Sequence, residues 1–418
     1  MFSAKLKNGV RVVGENMPGY RSVSMGVWIN AGSVYEQGDE SGAAHFIEHM
    51  LFKGTKTRSA SDIAAVMDAV GGNLNAFTGK ECTCFYGRVL RDKVGVLSEV
   101  LADLICNSLL DPEDIEREKG VVCEEILMTE DSPEDLVTET AVAGFYEGDP
   151  LERPILGTLG SVKAFTRDGL RAYMDRLYLP DRMVISAAGS LDEAELISAL
   201  DESFTMTGSS SVPEAEFAVH KPGKRLKFIE KDIGQAHICI CLPGYRKDTP
   251  ENYAQLVFSN AFGGTMSSRL FQKIREESGL AYSVYAYPTA YKRSGYMTLY
   301  AGTSPENAAT VTEMMLEEAL KVRERGFSRE EIERAKDQLI ASFLMAQEST
   351  SARGSAIGRA ELMRGRHLTE DEIIANIRAV DGAAVEEILP TVCGAEDFSA
   401  AVVGKCGGAR ERISRLLL

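Results

Sequence analysis

Two histidines and a glutamate stand together in the segment His45-Phe46-Ile47-Glu48-His49, a spacing that suits a single metal ion. On a helix, residues i and i+4 project from one face a turn apart, so both imidazoles can reach one cation. Zinc takes imidazole nitrogen at ~2.0–2.1 Å and keeps an open position for water in catalytic sites. Glu48, at i+3 from His45, shares that face and is placed to take a proton from the water. Ala43, Ala44, Phe46, Ile47, Leu51 and Phe52 surround the three groups. Ionisable side chains in so apolar a stretch are expensive to bury without a task. The chain has only five histidines, and two of them fall at this spacing around a glutamate. His220, His237 and His367 show no ligand spacing and are expected to be structural or on the surface.

Two imidazoles do not complete a catalytic zinc site, and residues 112–130 read as a helix that can supply the third ligand. Glu118 and Glu125 are two turns apart, so their carboxylates share a face; one can bind metal while the other orients a ligand. Glu124 competes with Glu125 but is rotated from it by about 100°. The pentapeptide itself is expected on a short helix, with Ser41 as its N-cap and Gly54 as its C-cap.

The elements that must position these groups occur twice. Residues 112–127 match 329–344, residues 43–55 match 253–265, and the apolar strands at 182–189 and 398–404 each close one half. Strands come first in each copy and long helices finish it. This pattern predicts an α+β fold with two homologous domains, each a mainly antiparallel sheet with helices packed on one face. A Ser-, Pro- and Gly-bearing break marks the division: residues 1–208 form the first domain, 209–223 a linker and 224–418 the second domain. In the second copy Gln255, Phe258 and Ser259 stand where the first has His45, Glu48 and His49, and Ala335 and Ser342 replace Glu118 and Glu125. Joint loss of the whole set implies one zinc ion (Zn2+) per chain, in the first half.

With these residues in view, the chain resembles the pitrilysin-type or inverzincin peptidases, which carry H-x-x-E-H. Within them it is most similar to mitochondrial processing peptidase and its single-chain bacterial relatives. The likeness runs through ESGAAHFIEHMLFKGT at 40–55, NAFTGKECT at 75–83, EREKGVVCEEI at 116–126, LERPILGT at 151–158 and FGGTMSSRLFQKIREESGLAYSV at 262–284. It implies Glu125 as the third ligand and Glu118 as its supporting carboxylate. Arg275 and Tyr282 would position the substrate carbonyl and stabilise the tetrahedral intermediate, and Asn75 and Ala76 would lie on an edge strand that pairs with extended substrate. Asp135 and Glu139, a turn apart, could bind a substrate arginine as acidic residues do in processing peptidases. The resemblance also implies a homodimer, or a heterodimer with a sibling chain, closing a proteolytic chamber, with Arg275 and Tyr282 acting on the site of the opposing chain.

Bulk properties narrow the class further. A net charge of −16 disfavours nucleic acid and favours basic peptides as partners. No apolar run is long enough to span a membrane, the N-terminus reads as a hairpin turning at Asn8-Gly9, and eight cysteines without a C-x-x-C pair suit reduced thiols, so a cytoplasmic protein is expected. The expected activity is zinc-dependent endopeptidase hydrolysis of peptides. The alternatives are a non-catalytic family subunit and a peptide-binding scaffold.

Overall fold

Asn8 and Gly9, the latter at φ +99°, turn the chain between β1 (Phe2–Lys5) and β2 (Arg11–Asn16), which pair antiparallel. A computed structural model of the chain describes residues 1–213, 223–394 and 396–418. It divides into two compact units. The first comprises Met1–Ile126, Arg153–Ala215 and Leu344–Leu368; the second comprises Leu127–Glu152, Glu216–Phe343 and Thr369–Leu418.

In the first unit, β3 (Ser22–Ile29), β4 (Asn73–Thr78), β5 (Thr83–Leu90) and β6 (Met183–Gly189) join the hairpin in the order β1-β2-β6-β3-β5-β4. Its helices include α1 (Ala43–Leu51), α2 (Ala60–Ala69), α3 (Val94–Asn107), most of α4 (Pro112–Asp131), α6 (Leu159–Ala164), α7 (Arg167–Leu177) and α8 (Glu193–Ser203). In the second unit, β7 (Lys224–Ile229), β8 (Ala236–Pro243), β9 (Ala281–Ala290), β10 (Gly295–Thr303) and β11 (Phe398–Val403) run β7-β11-β8-β10-β9. With them go α5 (Pro133–Phe145), α9 (Pro250–Ser259), α10 (Ala308–Arg325), most of α11 (Arg329–Ala346), α13 (Glu370–Ala379), α14 (Gly382–Val392) and α15 (Ala409–Leu417). Apart from β1, the two sheets have the same strand order and the same pairing directions. The duplication is therefore structural as well as sequential.

The sheets are mainly antiparallel, as expected, each with a single parallel pair: β2 runs parallel to β6, and β7 to β11. Two other expectations need correction. The units are not the contiguous halves 1–208 and 224–418, because each takes a helix from the other half of the sequence. In the first unit α1, α3, α7 and their neighbours build the main core on one face, while α12 (Thr350–Arg364) covers the opposite face of β2, β3 and β6. In the second unit α5 lies likewise on β8 and β11. Helices thus cover both faces, and β6, β8, β10 and β11 are buried along nearly their whole length. Part of the expected linker, 214–222, lies outside the described residues, and His220 with it.

Small residues let α12 approach closely. Gly358 sits where a Cβ would lie 2.1 Å from Trp28 Nε1 and 2.6 Å from Ser186 Oγ. Trp28 itself is buried and donates to Ser186 Oγ at 2.9 Å. Polar ties finish the seam: Arg11 to Glu361 at 2.7 Å, Arg353 to Glu15, and Ser24 to Thr350 at 2.9 Å.

The start of α1 is anchored differently from the expectation. Ser41 does not cap it; the N-cap is Gly42, at φ +90°, without a side-chain cap. Buried Glu36 takes that role, accepting the amides of Gly42 and Ala44 at 3.0 Å each. Arg153 donates to the carbonyl of Glu36, and Lys80 to that of Arg153. The LERPILGT segment also presses Gly157 onto Gly42: a Cβ on Gly157 would meet Ser41 O at 2.4 Å, and one on Gly42 would meet Leu156 O at 2.6 Å. At the other end α1 stops at Leu51, and Gly54, at φ +146°, lies beyond the Phe52 cap.

Two predictions follow from this packing. Gly358→Ala should lower stability by about 1–3 kcal/mol through overpacking; because Trp28 is the only tryptophan, its emission should shift to the red, and an unchanged spectrum and Tm would contradict the packing. Burial pushes the Glu36 carboxyl up to about 8, with the amides of Ala44 and Gly42, and then Arg153 and Lys80, pulling it back. The folded chain thus holds this proton more tightly than the unfolded one, and stability should fall as pH rises from about 4.5 to about 8, by on the order of a few kcal/mol. In chelated protein, Glu36→Gln should flatten the Tm–pH curve over that interval; an equal slope in both forms would show that Glu36 carries no such proton.

Candidate metal centre

Helix α1 is nine residues long, and its apolar positions Ala43, Ala44, Phe46, Ile47, Met50 and Leu51 are buried against the first unit's core. That burial leaves the stripe of His45, Glu48 and His49 facing α4. The two imidazole rings lie 4.6 Å apart. From α4, Glu125 brings Oε2 to 3.7 Å from His45 Nε2 and 3.5 Å from His49 Nε2. Donors bound tetrahedrally to zinc at ~2.0–2.2 Å stand roughly 3.2–3.6 Å from one another. The three donors, all within 4.8 Å of each other, therefore fit a zinc ion with little movement. Glu124 is exposed and stands outside this group.

Glu118, two turns before Glu125 and only 3% exposed, closes the arrangement from behind. Its Oε1 meets His49 Nδ1 at 2.8 Å and its Oε2 meets Lys53 Nζ at 2.6 Å. With the Nδ1 proton given to Glu118, the Nε2 lone pair of His49 faces Glu125. Burial acts to raise the Glu118 carboxyl, but hydrogen bonds from His49 and Lys53 outweigh it and hold it below the usual range. Burial also acts to lower His49, but the Glu118 hydrogen bond and the charges of Glu118, Glu125 and Glu48 win and raise it. His45 has no such carboxylate bond: burial, aided by His49, pulls it down to about 4, and its buried Nδ1 has no hydrogen-bond partner among the described residues. Glu48 is raised by burial, with Thr78 and His49 opposing and Glu125 adding to the rise. Thr78, at the end of β4, donates to Glu48 Oε2 at 2.5 Å.

The remaining sequence candidates fall into two places. Asn75 and Ala76 lie on β4, the sheet's outer strand, paired among the described residues with β5 alone; the Ala76 amide donates to Asn75 Oδ1 at 2.8 Å. Arg275, Tyr282, Asp135 and Glu139 belong to the second unit. There the Arg275 guanidinium packs 4.7 Å from the centre of the Tyr282 ring, and Tyr282 is 75% exposed. Asp135 and Glu139 are exposed on α5. Glu36, Lys53 and Thr78 were not singled out from sequence; only Lys53, one turn after His49, had a positional signal.

The second copy holds packing instead of ligands. Gln255 is buried, with Oε1 accepting the Tyr245 amide at 2.9 Å, and Phe258 stacks on Phe262 at 5.2 Å. Ser259 donates to Ala286 O at 3.0 Å. His237, buried on β8, meets the Tyr300 hydroxyl at 2.7 Å, and His367 stands 3.7 Å from Glu361. Among the described residues, the His45–His49–Glu125 group is the single cluster of metal-binding side chains.

A family profile described as "Insulinase (Peptidase family M16)" matches residues 11–159, and one described as "Peptidase M16 inactive domain" matches 164–339. The uncharacterized zinc protease YmxG of Bacillus subtilis is 39% identical over 403 residues, spanning 96% of this chain and 97% of its own. An uncharacterized zinc protease of Streptomyces coelicolor is 37% identical over 396 residues, covering 93% of this chain and 86% of its own. In fold, the crystal structure of a protease from Helicobacter pylori superposes with a TM-score of 0.90 at 17% identity, over 96% of this chain and 99% of that one. A metal-ready pentapeptide on α1, a duplicated fold without it in the second copy, and relatives named as zinc proteases lead to one assignment: the chain belongs to peptidase family M16, the pitrilysin-type zinc peptidases.

Proposed function

We propose that this protein is a zinc-dependent endopeptidase, similar to the processing peptidases, that hydrolyses extended peptides or presequence-like segments with one zinc ion per chain. The convergence of His45, His49 and Glu125, whose donors all lie within 4.8 Å of one another, with Glu48 on the same helical face, carries this reading. When bound, the zinc would supply Lewis-acid activation of a water and of the scissile carbonyl. Glu48 takes the proton as the water oxygen joins the carbonyl carbon, and gives it to the amide nitrogen as the C–N bond breaks. Glu118 keeps His49 in the tautomer that leaves Nε2 free. Arg275 and Tyr282 act as donors to the developing oxyanion. An extended substrate adds to the outer edge of β4 at Asn75 and Ala76, releasing the Ala76 amide from Asn75. Asp135 and Glu139, exposed and acidic, favour a basic residue near the cut.

We further propose a homodimer in which Arg275 and Tyr282 serve the metal centre of the partner chain. Both sets in one sequence make a sibling chain unnecessary. The cytoplasm is the proposed location, in keeping with eight cysteines that form no disulfide among the described residues; among those residues no helix is long and apolar enough to cross a membrane.

His45→Ala, His49→Ala and Glu125→Gln should each abolish stoichiometric zinc by elemental analysis, whereas Glu48→Gln should keep zinc and lose at least about 100-fold of its activity on a quenched peptide library. Full zinc in Glu125→Gln would reject that ligand, and full activity in Glu48→Gln would reject the base. Peptides bearing Arg or Lys in that library should be cut preferentially. The dimer is tested by complementation: mixing inactive Glu48→Gln and Tyr282→Phe chains, with exchange confirmed by mass labelling, should restore activity in hybrid dimers. A mixture that exchanges and stays inactive would show that Tyr282 does not act across chains.

A further inference from the structure

We propose that Thr78 is a positioning residue for the base, fixing one oxygen of Glu48 and tying it to the strand that receives substrate; this rests on the peptidase reading above. Among the described residues Thr78 is the one hydrogen-bond donor to the Glu48 carboxylate, at 2.5 Å and 30 residues away in sequence. Its hydroxyl engages Oε2, which leaves Oε1 as the oxygen that accepts and returns the proton. Because Glu48 is only half-buried, an undirected carboxylate could also turn in its site, and a single short hydrogen bond removes that freedom.

The donor is itself held firmly. Thr78 is the last residue of β4 and stands opposite Thr83 on β5, whose buried hydroxyl donates to Ala31 O at 2.9 Å. Its β-branched side chain has few rotamers to choose from. Ala76, two residues earlier, places its side chain on the same face of β4, while its amide donates to Asn75 Oδ1. The outer edge of β4 therefore meets the incoming backbone within two residues of the group that holds the base. Substrate register and base position are set by one rigid strand, so the scissile carbonyl and Glu48 Oε1 keep a fixed relation.

Thr78 could instead serve only to satisfy a buried carboxylate, and the two roles differ in what a substitution changes. Thr78→Val removes the donor and keeps the shape. It should lower kcat by about tenfold or more while KM stays within about twofold and zinc content is unchanged. Thr78→Ser should restore kcat to within about threefold of wild type. A thermal cycle on chelated protein adds a readout independent of activity: the Tm loss caused by Thr78→Val should largely disappear in a Glu48→Ala background. An unchanged kcat in Thr78→Val, a loss expressed in KM, no rescue by serine, or additive Tm losses would each overturn the positioning role while leaving the peptidase reading intact. Absence of hydrolysis by zinc-loaded wild-type protein would overturn the peptidase reading, and the positioning role with it.

Discussion

The 2.8 Å contact between His49 Nδ1 and Glu118 Oε1 decides which nitrogen of His49 faces the metal position, and much of the first unit is arranged around it. The bond requires a carboxylate deep in the protein, and a lone buried carboxylate would be raised and neutralised. Lys53, one turn after His49, supplies the compensating charge to the other oxygen of Glu118. The bond also requires α4 to keep its register, because Glu118 and Glu125 must address the same ring from two turns of one helix. Finally, α1 must not slide. Glu36 on its first amides and the Gly42–Gly157 contact prevent that, which gives the LERPILGT segment a physical role far from the ligands themselves.

The duplicated architecture separates what folding needs from what chemistry needs. Both sheets have the same order and the same single parallel pair, so the topology does not depend on the ionisable set. Where the first copy places Glu48, the second stacks Phe258 on Phe262; where the first places His45, the second buries Gln255. An apolar side chain at such a position avoids the desolvation cost that a carboxylate or imidazole incurs. The first copy keeps the costlier residues, which is intelligible if they bind and activate something, and the second keeps the simpler packing of a scaffold.

What could be read from sequence was local. The i, i+4 histidines and the two-turn glutamates were legible because helix geometry alone brings such spacings onto one face. The Asn8-Gly9 hairpin was legible for a similar reason. Glu36 was not, because it caps α1 across a loop, and the nearby Ser41 looked like the more ordinary choice. Thr78 reaches Glu48 from another strand, with no periodic relation to it. The same limit explains the domains. Nothing in TSARGSAIGRAELMR states which sheet the helix covers; Gly354 and Gly358 announce a close approach but not the partner, which proves to be β3 and β6 of the other half. The parallel pairs escaped notice because alternation of buried residues carries no information about strand direction.

The two imidazoles are prepared for a cation in opposite ways. His45, buried beside a second imidazole and lacking a carboxylate bond, is driven to about 4, so near neutral pH it is already the uncharged donor a metal needs. His49, bonded to Glu118 and near Glu125 and Glu48, is raised instead and holds its proton more readily than a free imidazole does. A divalent ion can take over the charge-balancing work of that proton among three carboxylates, because ligand binding requires the neutral ring. The surplus of acidic groups around His49 thus has a direct reason: with Lys53 compensating Glu118, the remaining carboxylates still carry more negative charge than one imidazolium can balance, and the set suits a dication. His45 contributes geometry and a ready lone pair, and the carboxylates contribute the electrostatic pull.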